Sequence, residues 1–319
     1  MSGDTTIAVE QVFRTFGAIK ALTDVSFAVE RGEVFGFLGP NGSGKSTLIR
    51  IICGMLAPSG GRTSVLGFDS FRQSEQVKRR IGYMPQRFSL YPDLTVRENM
   101  QFFGSLYGLR GRQLPLRMNV VVERLKLTSV FNQLAGTLSG GLRQRLSLAC
   151  AILHDPPVVF LDEPTSGIDP VARAEMWDVL FELSGQGKTL FVATHHMDEA
   201  ERCGRLGYIY FSYLIALGTP EELTELPQAT PVGTRWVDFN LPGASAHLEK
   251  ARAIDGVEIA TVFGNNVHLL VRAEIAGEEL MRRLAEKLGQ RVSLTDSRPT
   301  LEDVFIALTR SRGGESADA

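Results

Sequence analysis

Residues 39–47 read Gly39-Pro40-Asn41-Gly42-Ser43-Gly44-Lys45-Ser46-Thr47, between an apolar run at 34–38 and a helical pattern over 46–56. No other segment constrains the chain as tightly, because it meets the phosphate-loop pattern in the strand–loop–helix setting that gives the pattern its meaning. Gly39, Gly42 and Gly44 let the backbone curl until successive N–H groups face one centre. Lys45 adds a mobile positive charge for β- and γ-phosphates, and the Ser46 hydroxyl suits Mg²⁺. The helix that begins there turns its positive dipole end to the same point. Nucleotide binding follows from these residues; the type of reaction does not yet.

The rest of the chain supplies the frame. Short continuous apolar runs at 34–38, 81–85, 158–161 and 189–194 suit parallel strands covered on both faces by helices. A further strand is expected at 25–29, a helical stretch from Val96 to about Leu134, and a strong helix over 142–153 ended by Pro156 and Pro157. Alternating strands and helices predict a largely parallel α/β domain over residues 1–226, with a helical subdomain at about 96–153. Residues 226–234 (LPQATPVGT) read as a linker.

Beyond that linker, residues 235–310 run strand (236–240), helix (244–253), strand (257–263), strand (267–272), helix (277–288), strand (292–296) and helix (301–309). The turn Gly264-Asn265-Asn266 separates the middle strands. This order predicts a small α+β domain of the ferredoxin-like kind. The tail, 313–319, is expected to fray.

Composition narrows the partners. With 34 basic and 36 acidic residues the net charge is −2, so no basic surplus points to nucleic acid. Cys53, Cys150 and Cys203 have no CxxC spacing and read as buried thiols. The first residues lack a basic stretch leading into an apolar core, and the apolar window at 206–217 is too short to span a bilayer. A membrane role is therefore expected to run through another chain.

Two further segments bear on chemistry. The strand at 158–161 ends in Asp162 and Glu163. An Asp at the carboxyl end of a parallel strand lies beside a phosphate loop, where it holds Mg²⁺ through water, and the adjacent Glu can deprotonate the attacking water. By itself such a pair is more often a solvated turn. At 138–145 the chain reads Leu-Ser139-Gly140-Gly141-Leu-Arg-Gln144-Arg, small residues leading into a helix and a second potential anion site.

Together, the phosphate loop, the Ser139-Gly140-Gly141 segment and the acidic strand resemble the nucleotide-binding domain of ABC transporters over residues 7–225. The resemblance implies a P-loop ABC-type ATPase using ATP and Mg²⁺, with Ser46, Gln86 and Asp162 at the metal. It also implies Glu163 as general base, His195 as the switch histidine at the γ-phosphate, and Phe16 stacking on adenine. His195 is followed by His196, so that assignment rests on its place after Thr194; Phe16 also suits a core position. Ser139, Gly140, Gly141 and Gln144 resemble the signature that caps a second chain's ATP, and 166–170, with Asp169, resemble the loop that crosses the dimer interface.

The implied partners are a second ATPase chain, expected as a homodimer, and a membrane permease reached through Gln86 to Thr95. The implied location is the cytoplasmic face of the membrane, as a peripheral subunit. The segments at 90–99, 194–201, 218–222 and 298–308 are most similar to the drug- and antibiotic-exporter branch. One departure stands at Tyr210-Phe211-Ser212-Tyr213, where the family carries a glycine-bearing turn; the resemblance places this hairpin far from the nucleotide. The competing class is a soluble ABC ATPase acting on ribosomes or nucleic acid. Against it, the chain has one ATPase domain, no long coiled-coil insertion and no basic surplus.

Overall fold

The computed structural model describes residues 5–315. The chain divides at Thr219/Pro220 into two units, seven residues before the composition break at 226.

In the first unit, apolar runs bounded by glycine turns form strands. β3 (Val34–Leu38), β6 (Ile81–Met84), β7 (Val158–Asp162), β8 (Thr189–Thr194), β9 (Arg205–Tyr210) and β10 (Tyr213–Gly218) make a six-stranded sheet in the order β10-β9-β3-β8-β7-β6. Its pairs are parallel except β9–β10. β7 and β8 are buried along their whole length, as a sheet covered on both faces requires. Helices α1 (Lys45–Ile52), α2 (Ser74–Lys78), α6 (Pro170–Gly185) and α7 (Met197–Ala200) connect its strands.

A second sheet was not legible in the sequence. β1 (Thr5–Phe16), β2 (Ile19–Glu30), β4 (Gly60–Val65) and β5 (Phe68–Asp69) pair antiparallel in the order β2-β1-β4-β5. Only 25–29 of it reads as an apolar run, because β2 buries alternate residues, the second half of β1 is largely exposed, and both strands carry register shifts. The two sheets share one core. Phe27 of β2 stacks on Phe35 with centroids 5.1 Å apart, and Phe37, Phe160 and Phe191 close around them. Truncating a fully buried ring such as Phe160 to alanine costs about 3–5 kcal/mol.

The expected helical stretch from Val96 is broken into α3 (Val96–Leu106) and α4 (Gln113–Arg124), because Gly108 and Gly111 turn the chain with φ of 86° and 55°. α5 (Gly140–Ile152) begins two residues earlier than its apolar pattern, since Ser139 caps it. No described helix is long and apolar enough to cross a membrane. The three cysteines are free and buried.

The β9–β10 turn departs from the usual rule. Phe211 and Ser212 adopt φ of 42° and 71°, left-handed values that two-residue hairpins normally give to Asn and Gly. Phe211 is 74% exposed, so its side chain gains little from the strain. Phe211→Asn is expected to stabilise the protein by about 0.5–1 kcal/mol, read as a higher melting temperature. An unchanged melting temperature would show the turn to be unstrained.

In the second unit, α8 (Pro220–Thr224) precedes β11 (Thr234–Asn240), β12 (Val257–Phe263), β13 (Asn266–Arg272) and β14 (Thr295–Asp296). These pair antiparallel in the order β12-β13-β11-β14. The helix expected over 244–253 is a 3₁₀ turn, Ala244–His247, followed by the short α9 (Leu248–Arg252). The strand expected over 292–296 pairs only at Thr295 and Asp296. α10 (Gly277–Leu288) buries Leu280, Leu284 and Leu288, one stripe at helical spacing. α11 (Leu301–Glu315) extends past the expected end at Thr309, and 316–319 of the tail expected to fray lie outside the described residues.

His268 of β13 is 3% exposed, under Trp236, with ring centroids 4.3 Å apart. Its Nδ1 faces Asp238 and its Nε2 lies 3.1 Å from Asp303 of α11. Burial would lower its pKa, but hydrogen bonds and charge from Asp303 and Asp238 prevail and raise it. Asp303 sits below the carboxylate range: burial opposes this, and bonds from His268 and Thr300 outweigh it.

A raised folded pKa gives stability that is complete below the unfolded value, near 6.5, and is lost as pH rises through the folded one. The depressed Asp303 adds stability above its unfolded value, near 3.9, lost as pH falls through the folded one. The second unit should therefore melt highest between these limits and lose stability toward alkaline pH. Melting curves of the full chain across pH test this, and His268→Gln should flatten the alkaline limb.

Candidate functional site

The glycine loop leaves the carboxyl end of β3 and enters α1. Gly44, the residue before the helix, has φ 112°, and a Cβ there would sit 2.4 Å from the Ala21 carbonyl. A Cβ on Gly39 would meet the Ile209 carbonyl at 2.3 Å. Only glycine fits either place. Lys45 is 5% exposed and donates from Nζ to the carbonyls of Gly39 (2.7 Å) and Pro40 (3.0 Å). Burial lowers its pKa, with Glu163 and Asp162 pulling the other way.

The acidic pair arrives on β7, beside β8 and β6. Asp162 is 2% exposed, hydrogen-bonded by Ser46, and its pKa is raised, first by burial. Its Oδ1 is buried without a hydrogen-bond partner. An orphaned carboxylate oxygen beside a hydroxyl is a donor set that fits a hard divalent cation.

Glu163 adopts φ 53°, a strained conformation for a residue with a long side chain, and its N–H donates to Ala193 at 2.8 Å. Its Oε2 accepts from Gln86 Nε2 at 2.8 Å. Its Oε1 lies 3.1 Å from His195 Nδ1 and 3.8 Å from Lys45 Nζ. Glu163, Gln86, Lys45 and His195 thus converge from four separate segments. His196 instead stands at the start of α7, its N–H donating to Thr194 Oγ1 at 3.0 Å.

A cleft of about 250 Å³ lies over the loop, lined by Asn41, Gly42, Gly44, Lys45, Ser46, Thr47, Gln86 and Glu163, and by Ile19, Lys20 and Ala21. The last three carry no sequence signal, because strand pairing rather than a motif brings them there. Phe16 is not among the lining residues. It is 44% exposed, pairs with Ile19 across the β1–β2 turn, and carries the Arg14 guanidinium 4.4 Å over its ring.

The hairpin expected far from the nucleotide is close to this cleft. Ser212 hydrogen-bonds the Lys20 carbonyl through its hydroxyl and accepts from Thr23 N–H at 2.8 Å. The correction has a topological cause: β10 packs beside β2, which carries Lys20 and Ala21.

The Ser139 segment stands elsewhere; none of the described lining residues comes from 138–144. Ser139 caps α5, accepting from Leu142 N–H at 3.4 Å. Gln144 Nε2 donates to the Ser166 carbonyl at 3.4 Å, and a Cβ on Gly140 would touch the Gly167 carbonyl, also at 3.4 Å. A Cβ on Gly141 would approach Ala172 to 3.1 Å. Asp169 caps α6, accepting from Val171 and Ala172 N–H at 3.0 Å each, with Pro170 in the first turn.

Comparison with known proteins agrees with this geometry. The ABC transporter family model matches residues 22–166. The chain is 46% identical over 221 residues to the probable multidrug ABC transporter ATP-binding protein YbhF of Escherichia coli (strain K12), covering 69% of this chain but only 38% of that relative. It is 35% identical over 322 residues to the Nod factor export ATP-binding protein I of Rhizobium etli, covering 96% of this chain and 93% of the relative. The dimeric structure of MJ0796, a bacterial ABC transporter cassette, superposes with a TM-score of 0.63 at 27% identity, covering 67% of this chain and 98% of that one. These names leave the ribosome or nucleic-acid alternative without support. A glycine loop facing a Glu–Gln–His cluster, in a sheet shared with ABC cassettes, places the chain in the family of ABC transporter ATP-binding proteins, in the branch whose named members include multidrug and Nod factor exporters.

Proposed function

We propose that the chain binds and hydrolyses ATP and so powers export by a separate membrane permease. The observation that carries this is the Glu163 carboxylate, held by Gln86 and His195 beside the phosphate loop. The loop N–H groups and the α1 dipole bind the phosphates, and Lys45 turns from the Gly39 and Pro40 carbonyls to the β- and γ-oxygens. Glu163 takes a proton from water as the water oxygen bonds to γ-phosphorus; the bond to the β–γ bridging oxygen breaks, giving ADP and phosphate. His195 holds the γ-phosphate. Ser46 and Asp162 would hold magnesium, with Gln86 alongside; the ion supplies charge neutralisation at the phosphate oxygens.

One chain carries one phosphate loop and one Ser139-Gly140-Gly141 segment, and the segment does not line the cleft. A complete site accordingly takes Ser139, Gly140 and Gly141 from a second copy, capping ATP with the α5 N-terminus. Dimer motion reaches the permease, at the cytoplasmic membrane face, through Gln86 to Thr95. Asn99 of α3 braces that loop, accepting from Tyr91 N–H and donating to the Tyr91 carbonyl at 3.0 Å each. The second unit is ferredoxin-like, supported by its sheet order and by helices after its first and third strands. Light scattering on purified Glu163→Gln should show dimers with Mg-ATP and monomers without. Monomers at saturating ATP would remove the homodimer and require a different second chain.

A further inference from the structure

Behind the Glu163 cluster lies a buried carboxylate that the reaction above does not use. Glu199 of α7 is 0% exposed. Its Oε1 accepts from the hydroxyl of Thr165, and its Oε2 accepts from the hydroxyl of Thr194 at 2.6 Å. Both threonines are themselves fully buried. Thr165 follows Glu163 by two residues, and Thr194 directly precedes His195. Arg173 of α6 brings positive charge to the same carboxylate, its Nε 3.9 Å from Oε1, while its Nη1 reaches Asp198 at 3.2 Å. One side chain thus ties together the segments after β7 and β8 and the start of α6.

We infer that Glu199 is a positioning residue, a two-pronged clamp that sets Glu163 against His195. The inference rests on the assignment of Glu163 as base and His195 as its neighbour at the γ-phosphate. A carboxylate suits the task because its two oxygens accept from donors on two different segments at once. Interior strand pairing fixes β7 and β8 relative to each other only up to their ends. Beyond them, Glu163 leaves in a left-handed conformation that persists only when its surroundings over-determine it. The Thr165 bond restrains the chain after Glu163, and the Thr194 bond restrains the chain before His195. Thr194 Oγ1 also accepts from His196 N–H, which fixes the turn that carries both histidines. With the clamp released, the 3.1 Å approach of His195 to Glu163 loses two of its supports, one on each segment.

The test uses the full chain with Glu199→Ala, Glu199→Gln and Thr165→Val, reading kcat, the KM for ATP, the Kd of a fluorescent ATP analogue, and melting temperature. Misplacing a catalytic group by about 1 Å costs on the order of 100-fold in rate, so Glu199→Ala should lower kcat by about that factor. KM and Kd should move less than about threefold, since the phosphate loop is untouched. Glu199→Gln keeps the shape and one acceptor, and should recover part of the rate; Thr165→Val, which cuts one prong with little change in volume, should fall in between.

In a Glu163→Gln background, Glu199→Ala should slow turnover by far less than it does in the wild type, because most of its effect passes through Glu163. A wild-type kcat in Glu199→Ala overturns the inference. So does a fall in kcat matched by equal weakening of nucleotide binding in both Glu199→Ala and Thr165→Val, or a multiplicative effect in the double variant. Turnover retained by Glu163→Gln alone would instead sink the assignment of the base, so the two failures separate.

Discussion

Glu163→Gln should lower ATP turnover by about 10²–10⁴-fold while leaving nucleotide binding intact, the range that a positioned general base contributes. The amide has the shape of the carboxylate and remains within reach of Gln86 and His195, so the cleft keeps its form. What is lost is basicity toward water and a negative charge 3.8 Å from Lys45. Lys45 is already held below the ordinary lysine range by burial, against the pull of Glu163, and nucleotide phosphates replace that pull when ATP binds. Steady-state phosphate release, measured beside equilibrium binding of a fluorescent analogue, checks both halves. Turnover near the wild-type rate would mean that another group activates the water.

Lys45→Ala should weaken ATP binding by about tenfold to a hundredfold, corresponding to loss of a charged hydrogen bond worth roughly 1.5–3 kcal/mol. Lys45 also donates to the carbonyls of Gly39 and Pro40, so removing it takes a brace from the loop as well as a charge from the site. Lys45→Arg should not restore binding. The side chain is 5% exposed, in a socket shaped for one nitrogen, and a planar guanidinium is wider and carries its donors in a fixed fork. Titration of the analogue into wild type and both variants decides the matter; unchanged affinity in Lys45→Ala would show that backbone N–H groups suffice.

The parts of the fold that read well from sequence are those whose signal is local. The phosphate loop is contiguous, and its spacing is dictated by a backbone that must pass within van der Waals reach of Ala21 and Ile209. β7 and β8 announce themselves because they are buried on both faces. β1 and β2 do not, since β2 alternates buried and exposed residues, the second half of β1 is largely exposed, and bulges shift the register. Lys20 and Ala21 reach the cleft, and Glu199 reaches Thr165, only through long-range pairing, although Thr194 is a near neighbour of Glu199 in sequence. Glu199 in the segment Met197-Asp198-Glu199-Ala200-Glu201 looks like any surface helix acid until β7 and β8 lie side by side. The same pairing turns His195 toward Glu163 and leaves His196 at the helix start.

The short stretch from Glu163 to Asp169 begins at the base of one chain's own cleft. Midway, at Ser166 and Gly167, it meets Gln144 and Gly140, which under the proposed dimer face the other chain's nucleotide. In the two-fold dimer proposed above, that stretch would be a strut between the active centres, and the symmetry mate would supply a second strut running back. The two centres would then be joined in a ring of four links, two struts and two nucleotides. Under that proposal, loss of one γ-phosphate would open a single link and leave the other nucleotide's link closed.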